Sequence, residues 1–520
     1  MLITGIFLLT APLFSEGVQE RAVDAYMPEE ILEEAEAAAE RAEEAADRAE
    51  TAAESLEPEP QVMFGQDSDQ YVPSWNSINE HEVPEWFQDA KLGIMICWGP
   101  YSVPAYAPPS GELGEFDFSK WFRENPYAEW YANSYKIEGT PTNKYHKEKY
   151  GADVSYEDLI DMWKAENYNP EAWAELFSKI GVRYTVSVIR HHDGFAWWPS
   201  EVIHPRKGES FSVKNYGPGR DLVGPLSKAL REKGIKPGLY YSTGLDWSFE
   251  PGPITTWAEL SLYKPATPEY ASYAYHQLKE IIHKYKPEVL WGDIGWPAPE
   301  TEYLTKYILA DYYNTVPNGV VNDRLTDKWQ DFKTAEYNVN QEPAIAPHKW
   351  ELTRGIGFSF GYNHVETEEH YTSVKNIVHS LVDIVSKNGN LLLNIGPKAD
   401  GTIPQIQKDR LLGLGKWLDV NGAAIFETRP WTQFKTTTNQ DIEVRFTQNK
   451  ENKKLYITLF ERPDASFTIK DVSIPADSTM KMLGSRANID WSNSGKDIAV
   501  EVAGKQDYTA PAYVLEVSLP

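Results

Sequence analysis

Between about residue 85 and residue 425, short apolar runs alternate with amphipathic stretches of helical length, and this alternation restricts the possible folds more than any other feature of the chain. The runs Ile94–Cys97, Tyr184–Ile189, Gly238–Ser242, Val289–Asp293, Val320–Asn322 and Leu391–Ile395 have the length and bounds of buried strands. Helices are expected at Pro170–Ile180, Leu222–Lys233, Pro268–Tyr285, Thr301–Thr315, Ser373–Lys387 and Pro404–Val420. A strand-then-helix repeat over roughly 340 residues builds a parallel sheet, and at this length a (β/α)8-like barrel is expected over residues 85–428. Fewer than eight strands show in the pattern, so closure of the barrel is inferred. After Pro430 the helical period ends, and Ile442–Phe446, Lys454–Leu459, Phe467–Ile469, Ile498–Val502 and Tyr513–Val517 are expected as strands of an antiparallel β-sandwich over 429–520.

The N-terminal part is of a different kind. Leu2–Phe14 is apolar, too short to span a bilayer, and matches the hydrophobic part of a secretory signal, placed here at residues 1–20. No Lys or Arg precedes it, but export to a secreted or periplasmic location is still expected. Residues 21–60 are Ala/Glu-rich and helical by composition. Leu32, Ala35, Ala39, Ala42, Ala46, Ala49, Ala53 and Leu56 step by threes and fours, as in a coiled-coil seam for self-association; a solvated spacer helix is the other reading. Pro58 and Pro60 then open a linker over 61–84.

The formal net charge of −27 argues against nucleic acid and anionic membranes as partners. About half of it is local, since residues 1–60 hold 16 Asp/Glu against 3 Arg. A single cysteine, Cys97, excludes an intrachain disulfide and any all-cysteine metal site. The 18 Trp and 30 Tyr suit a sugar-stacking pocket as well as a core.

Ligands of parallel barrels sit at the carboxyl ends of the strands, which singles out Asp293, the last residue of Val289–Asp293, set between Trp291 and Trp296. His191-His192-Asp193-Gly194 follows another strand; adjacent histidines on extended chain point to opposite sides, which suits hydrogen bonds to a polyhydroxylated ligand better than a metal clamp. The stretch from Lys349 to Glu366, containing Arg354 and several glycines, looks like a loop at a ligand face. Cys97-Trp98-Gly99, Trp121 and Glu129-Trp130-Tyr131 offer an aromatic platform. Strand-end carboxylates among histidines, an arginine and tryptophans, with no phosphate loop, favour glycoside hydrolysis, which needs two carboxyl groups. Asp293 is one; the other is sought among Glu366–Glu369 or at Glu351.

From about Trp86 to Trp431 the motifs Leu92-Gly93-Ile94-Met95-Ile96-Cys97-Trp98-Gly99, Glu129-Trp130-Tyr131, His191-His192-Asp193-Gly194-Phe195, Tyr240-Tyr241-Ser242, Trp291-Gly292-Asp293-Ile294-Gly295-Trp296, Arg354-Gly355-Ile356-Gly357 and Asn390-Leu391-Leu392-Leu393-Asn394-Ile395-Gly396-Pro397 resemble, in one order, the α-L-fucosidases of glycoside hydrolase family 29. The resemblance implies a retaining, exo-acting enzyme on terminal fucose of glycans, with no cofactor and no metal. It also implies Asp293 as nucleophile, Glu366 as acid/base, and Trp121, Glu129, His191, His192, Tyr241, Trp291 and Arg354 as the sugar-holding residues, with Cys97 and Trp130 beside them as further substrate-binding candidates. Cys97 departs from the family pattern, which usually has His before Trp-Gly. Losing that imidazole costs a sugar contact about 1–3 kcal/mol if nothing replaces it. That departure keeps two alternatives open: a retaining glycosidase on a related 6-deoxy or galacto-configured sugar, and a sugar-binding module without turnover.

Overall fold

The computed structural model describes residues 70–113, 118–338, 342–503 and 509–520. The expected signal segment, the Ala/Glu helix and the first part of the linker, 61–69, fall outside the described residues; the rest of the expected linker contains a short helix, Trp75–Ile78. No helix among the described residues is long and apolar enough to cross a membrane.

Eight parallel strands form the first sheet: Leu92–Ile96 (β1), Tyr184–Arg190 (β2), Lys236–Ser242 (β3), Val289–Asp293 (β4), Val320–Val321 (β5), Lys333–Glu336 (β6), Trp350–Gly355 (β7) and Gly389–Ile395 (β8). Their order, β5-β4-β3-β2-β1-β8-β7-β6, is the chain order of a barrel opened between β5 and β6. The helices expected from the sequence each follow one of these strands, with ends shifted by two residues at most. Two of them show how their ends are fixed. Helix Pro170–Ile180 starts with Pro at its first turn behind an Asn169 cap on Ala172 N–H, and stops at Gly181 in the left-handed region. Helix Pro268–Tyr285 starts the same way behind Thr267.

The seam between β5 and β6 is closed by side chains as much as by backbone. Only one ladder position, Asn322 to Phe332, bridges the two strands. Asp331 completes it: its N–H donates to Val321 O at 2.9 Å, and its carboxylate accepts from Val321 N–H at 2.7 Å, Tyr313 Oη–H at 2.8 Å and His81 Nδ1 at 2.8 Å. On the other side of β5, the Asn322 amide takes the place of a strand backbone, accepting from Gly292 N–H and donating to Gly292 O, both at 2.9 Å. Gly292 has to be glycine, because a Cβ there would lie 2.5 Å from Leu325 Cα.

Two strands of this sheet lie outside the expected set, β6 and β7. The stretch from Lys349 to Glu366, expected as a loop at a ligand face, begins with a fully buried strand, Trp350–Gly355, paired with both β6 and β8. Its mixture of Glu, Thr and Arg hides it: Glu351 and Thr353, two residues apart, face the polar barrel interior instead of an apolar layer.

Eight antiparallel strands follow: Thr428–Thr437 (β9), Glu443–Asn449 (β10), Lys454–Leu459 (β11), Ser466–Ile469 (β12), Thr479–Met482 (β13), Asn488–Ser494 (β14), Asp497–Ala503 (β15) and Tyr513–Ser518 (β16). They form sheets ordered β13-β16-β11-β10-β9 and β12-β15-β14 around a second apolar core. Helix Val374–Ser386 packs on β9 and β10. There Asp383 accepts from Arg445 Nε at 2.5 Å and from Lys387 Nζ at 2.7 Å.

Asn322→Ala leaves the Gly292 N–H and C=O without partners at the seam. It is expected to cost about 1–3 kcal/mol, read as a lower urea midpoint at unchanged m-value.

Candidate active site

A cavity of about 740 Å3, mouth included, opens at the carboxyl ends of the barrel strands. Met95 and Val188 form part of its lining, with Cys97 just past β1, His191 and His192 past β2, Tyr240 on β3, Trp291 and Asp293 on β4, Arg324 past β5, Glu336 at the end of β6 and Thr353 on β7. The chain between β1 and β2 contributes Leu113, Trp121, Tyr127, Glu129 and Trp130, and Trp257 and Leu260 come from a short helix after β3.

Asp293 is held from several directions. Tyr240 Oη–H donates to Oδ2 at 2.5 Å, Ile294 N–H donates to Oδ1 at 3.0 Å, and Arg324 Nη1 lies 3.4 Å from Oδ1. Its carbonyl accepts from Thr243 N–H at 3.1 Å, Gly244 N–H at 3.0 Å and Thr243 Oγ1–H at 2.8 Å, which fixes the strand end. Gly244 allows this approach, since a Cβ there would sit 2.3 Å from Ile294 O.

Besides Asp293 and Glu129, a third carboxyl group, Glu336, lines the cavity. Arg324 Nη1 donates to its Oε2 at 3.2 Å and Tyr127 Oη–H to its Oε1 at 3.0 Å. One guanidinium nitrogen therefore spans Asp293 and Glu336, and those two oxygens are separated by no more than the sum of 3.4 and 3.2 Å. That bound lies close to the lower end of the inverting range, about 6.5 Å, and admits the retaining spacing of about 5–5.5 Å. Burial raises the Glu336 pKa; Arg324 opposes this, and the Asp293 charge adds to it. Arg324 is fixed by Nε donating to Thr334 Oγ1 at 2.7 Å and by lying 5.0 Å over the Trp291 ring.

The two histidines are neutral. Burial drives His191 well below its usual value, and burial together with Arg190 lowers His192 to about 3. Ser242 Oγ–H donates to Leu245 O at 2.8 Å, so His192 Nδ1, at 2.7 Å from the same Oγ, supplies the proton of that bond. His192 Nε2 is then an acceptor, 3.9 Å from Asp293 Oδ2. Glu129 accepts from Gly361 N–H at 2.8 Å and from Ser359 Oγ–H at 3.3 Å, yet burial raises it to about 7. Cys97 is a protonated thiol, its pKa pushed up by burial and by Glu129.

A family model described as Alpha-L-fucosidase matches residues 61–423. The chain belongs to the α-L-fucosidase family. These are glycoside hydrolases that act with retention of configuration. Human tissue α-L-fucosidase is 33% identical over 442 residues, 83% of this chain and 87% of that one. Human plasma α-L-fucosidase is 32% identical over 432 residues, covering 81% and 86%. The crystal structure of Thermotoga maritima α-fucosidase in complex with a mechanism-based inhibitor matches with a TM-score of 0.80 at 44% identity, over 86% of this chain and all of that one. The barrel followed by a β-sandwich is the architecture of these fucosidase structures.

Of the residues selected from the sequence, Asp293, Cys97, Trp121, Glu129, Trp130, His191, His192 and Trp291 come together around the family's cavity. Three do not line it. Tyr241 follows Tyr240 on a strand, so it faces the opposite side; its Oη–H donates to Gln277 Oε1 at 2.9 Å and its ring lies under Arg190 at 4.6 Å. Arg354 is paired with Glu112 at 2.7 Å. Glu366 is behind the wall, its Oε1 accepting from Ser359 N–H at 2.8 Å, and burial raises it to about 8. Nor does Glu351 line the cavity; it lies inside the barrel, accepting from Trp291 Nε1–H at 3.0 Å and Tyr184 Oη–H at 2.5 Å. Glu368 pairs with Arg410 at the surface. The residues missed are Tyr240, Arg324, Glu336 and Tyr127. The strand-end rule that selected Asp293 also selects Glu336 once Lys333–Glu336 is recognised as a strand.

Tyr240→Phe removes a hydrogen bond to a charged group, worth about 1.5–3 kcal/mol. It is expected to lower kcat/KM on an aryl α-L-fucoside by about 10- to 150-fold. Tyr241→Phe is expected to leave kcat/KM unchanged and to lower the melting temperature instead.

Proposed function

We propose that the chain is an exo-acting α-L-fucosidase in which Asp293 is the nucleophile and Glu336 the general acid/base. The observation that carries the assignment is the single Arg324 nitrogen spanning both carboxylates across the cavity. Asp293 attacks the anomeric carbon while Glu336 gives its proton to the departing oxygen, leaving a fucosyl ester on Asp293. Glu336, now a carboxylate, takes a proton from water as that water attacks the anomeric carbon, and the ester bond breaks with release of Asp293. Two inversions give retention. The His192 acceptor, Glu129, His191 and the faces of Trp121, Trp130 and Trp291 hold the sugar, and a pocket closed below by Met95 and Val188 suits a chain end. Glu366 is withdrawn from the acid role, because it does not reach the cavity. The substrates are fucosylated glycans, and the expected signal at residues 1–20 agrees with the plasma location in the human relative's name.

Glu336→Gln is expected to slow hydrolysis of fucosides with poor leaving groups by about 10²–10⁴-fold and to spare a dinitrophenyl fucoside, which needs no proton. Glu366→Gln keeps the wild-type leaving-group dependence. The opposite pattern in the two variants assigns the acid to Glu366.

The acid must be protonated for the first step, so kcat/KM falls as pH rises through the raised Glu336 pKa. The Tyr127 hydroxyl holds that pKa down. Tyr127→Phe is therefore expected to move the alkaline limb of the pH profile to higher pH; a shift to lower pH contradicts the assignment.

A further inference from the structure

The end of the barrel interior opposite the cavity holds two buried amines that the mechanism does not use. Lys91 is fully buried and Lys349 is 6% exposed, and neither Nζ has a hydrogen-bond partner among the described residues. The register brings them together. Leu92 pairs with Leu391, so Lys91 stands beside Asn390, and Glu351 pairs with Asn390 from the other side, two residues after Lys349. The amines lie within hydrogen-bonding reach of each other, with Glu351 and Arg429 among the charges acting on Lys349. Asp89 is taken up by Arg429 at 2.6 Å and Lys450 at 3.2 Å. Among the described residues Glu351 is then the one carboxylate facing the two amines, so protonation of both leaves one positive charge to be matched in a dry layer, at a cost that favours a counter-ion.

We propose that a monovalent inorganic anion of the chloride class binds between Lys91 Nζ and Lys349 Nζ. With no anion, burial drives both amines toward the neutral form: Lys91 is pushed down to about 7 and Lys349 well below its ordinary value. One bound anion lets both stay protonated; burial raises Glu351 to about 7, and a protonated Lys349 beside it favours the carboxylate, the acceptor for Trp291 Nε1–H and Tyr184 Oη–H. Trp291 lines the cavity, so the anion sits at the base of a chain of contacts that ends on its wall.

Long-wavelength anomalous diffraction from crystals of the full chain purified in sodium chloride tests this. The expected result is an anomalous peak within about 3.3 Å of both amines, lost in Lys349→Met. A wild-type map without that peak, or with a water that gives no anomalous signal, overturns the proposal in favour of a Lys91–Lys349 pair sharing a proton. In solution, wild type is expected to melt at a lower temperature in sodium gluconate than in sodium chloride of equal ionic strength, and Lys349→Met to melt at the same temperature in both. The map alone decides if the variant does not fold.

Discussion

The active cavity depends on how the barrel closes between β5 and β6. A two-residue strand offers too few backbone groups for a ladder, and buried N–H and C=O groups without partners are costly. Here two side chains supply the missing ladder: the Asn322 amide pairs with Gly292, and the Asp331 carboxylate takes Val321 N–H. Both act on residues next to the chemistry. Gly292 immediately precedes Asp293, and the chain between Asn322 and Phe332 carries Arg324. The same interactions that seal the barrel therefore aim Asp293 and Arg324 into one space, with Glu336 arriving on β6.

Within that space charge is arranged so that two carboxylates take different parts. Asp293 faces three donors and is anchored through its own backbone; Glu336 shares Arg324 and has one phenol. For Glu336 burial outweighs the opposing cation, and the neighbouring Asp293 charge adds to it, which is how one carboxyl of a pair is kept as an acid. The neutral His192 fits the same scheme: a cationic imidazole 3.9 Å from Asp293 would compete with Arg324 for its charge, whereas a neutral one leaves Nε2 as an acceptor.

How much of this the sequence revealed depended on whether a strand is apolar. β1 to β4 and β8 are buried on both faces and show as apolar runs, and with them came Asp293, Trp291 and the two histidines. Lys333–Glu336 has one exposed lysine, two short inward or lateral residues and a glutamate, so it has no apolar signature, and Glu336 went with it. Arg324 stands three residues past a strand of two. Tyr240 and Tyr241 failed for a different reason: a strand turns adjacent side chains to opposite faces, and two identical residues give no sign of which one faces in. The Arg354-to-Glu366 spacing of twelve residues equals that from Arg324 to Glu336, so spacing alone did not distinguish the two pairs. Only the closed barrel does.

Cys97 shows what a geometric account adds to a motif. Tyr101 Oη–H donates to Trp98 O at 2.6 Å, so the 3.3 Å contact between Cys97 Sγ and Tyr101 Oη is made by the thiol proton. The sulfur thus presents no donor to the cavity, only a weak acceptor with polarisable apolar surface. His191 Nδ1 is buried with no partner among the described residues, on a residue that lines the same cavity and whose ring centroid is 5.8 Å from that of Tyr101. Neither Asp293 nor Glu336 is hydrogen-bonded to Cys97, so the departure leaves both carboxylates in place.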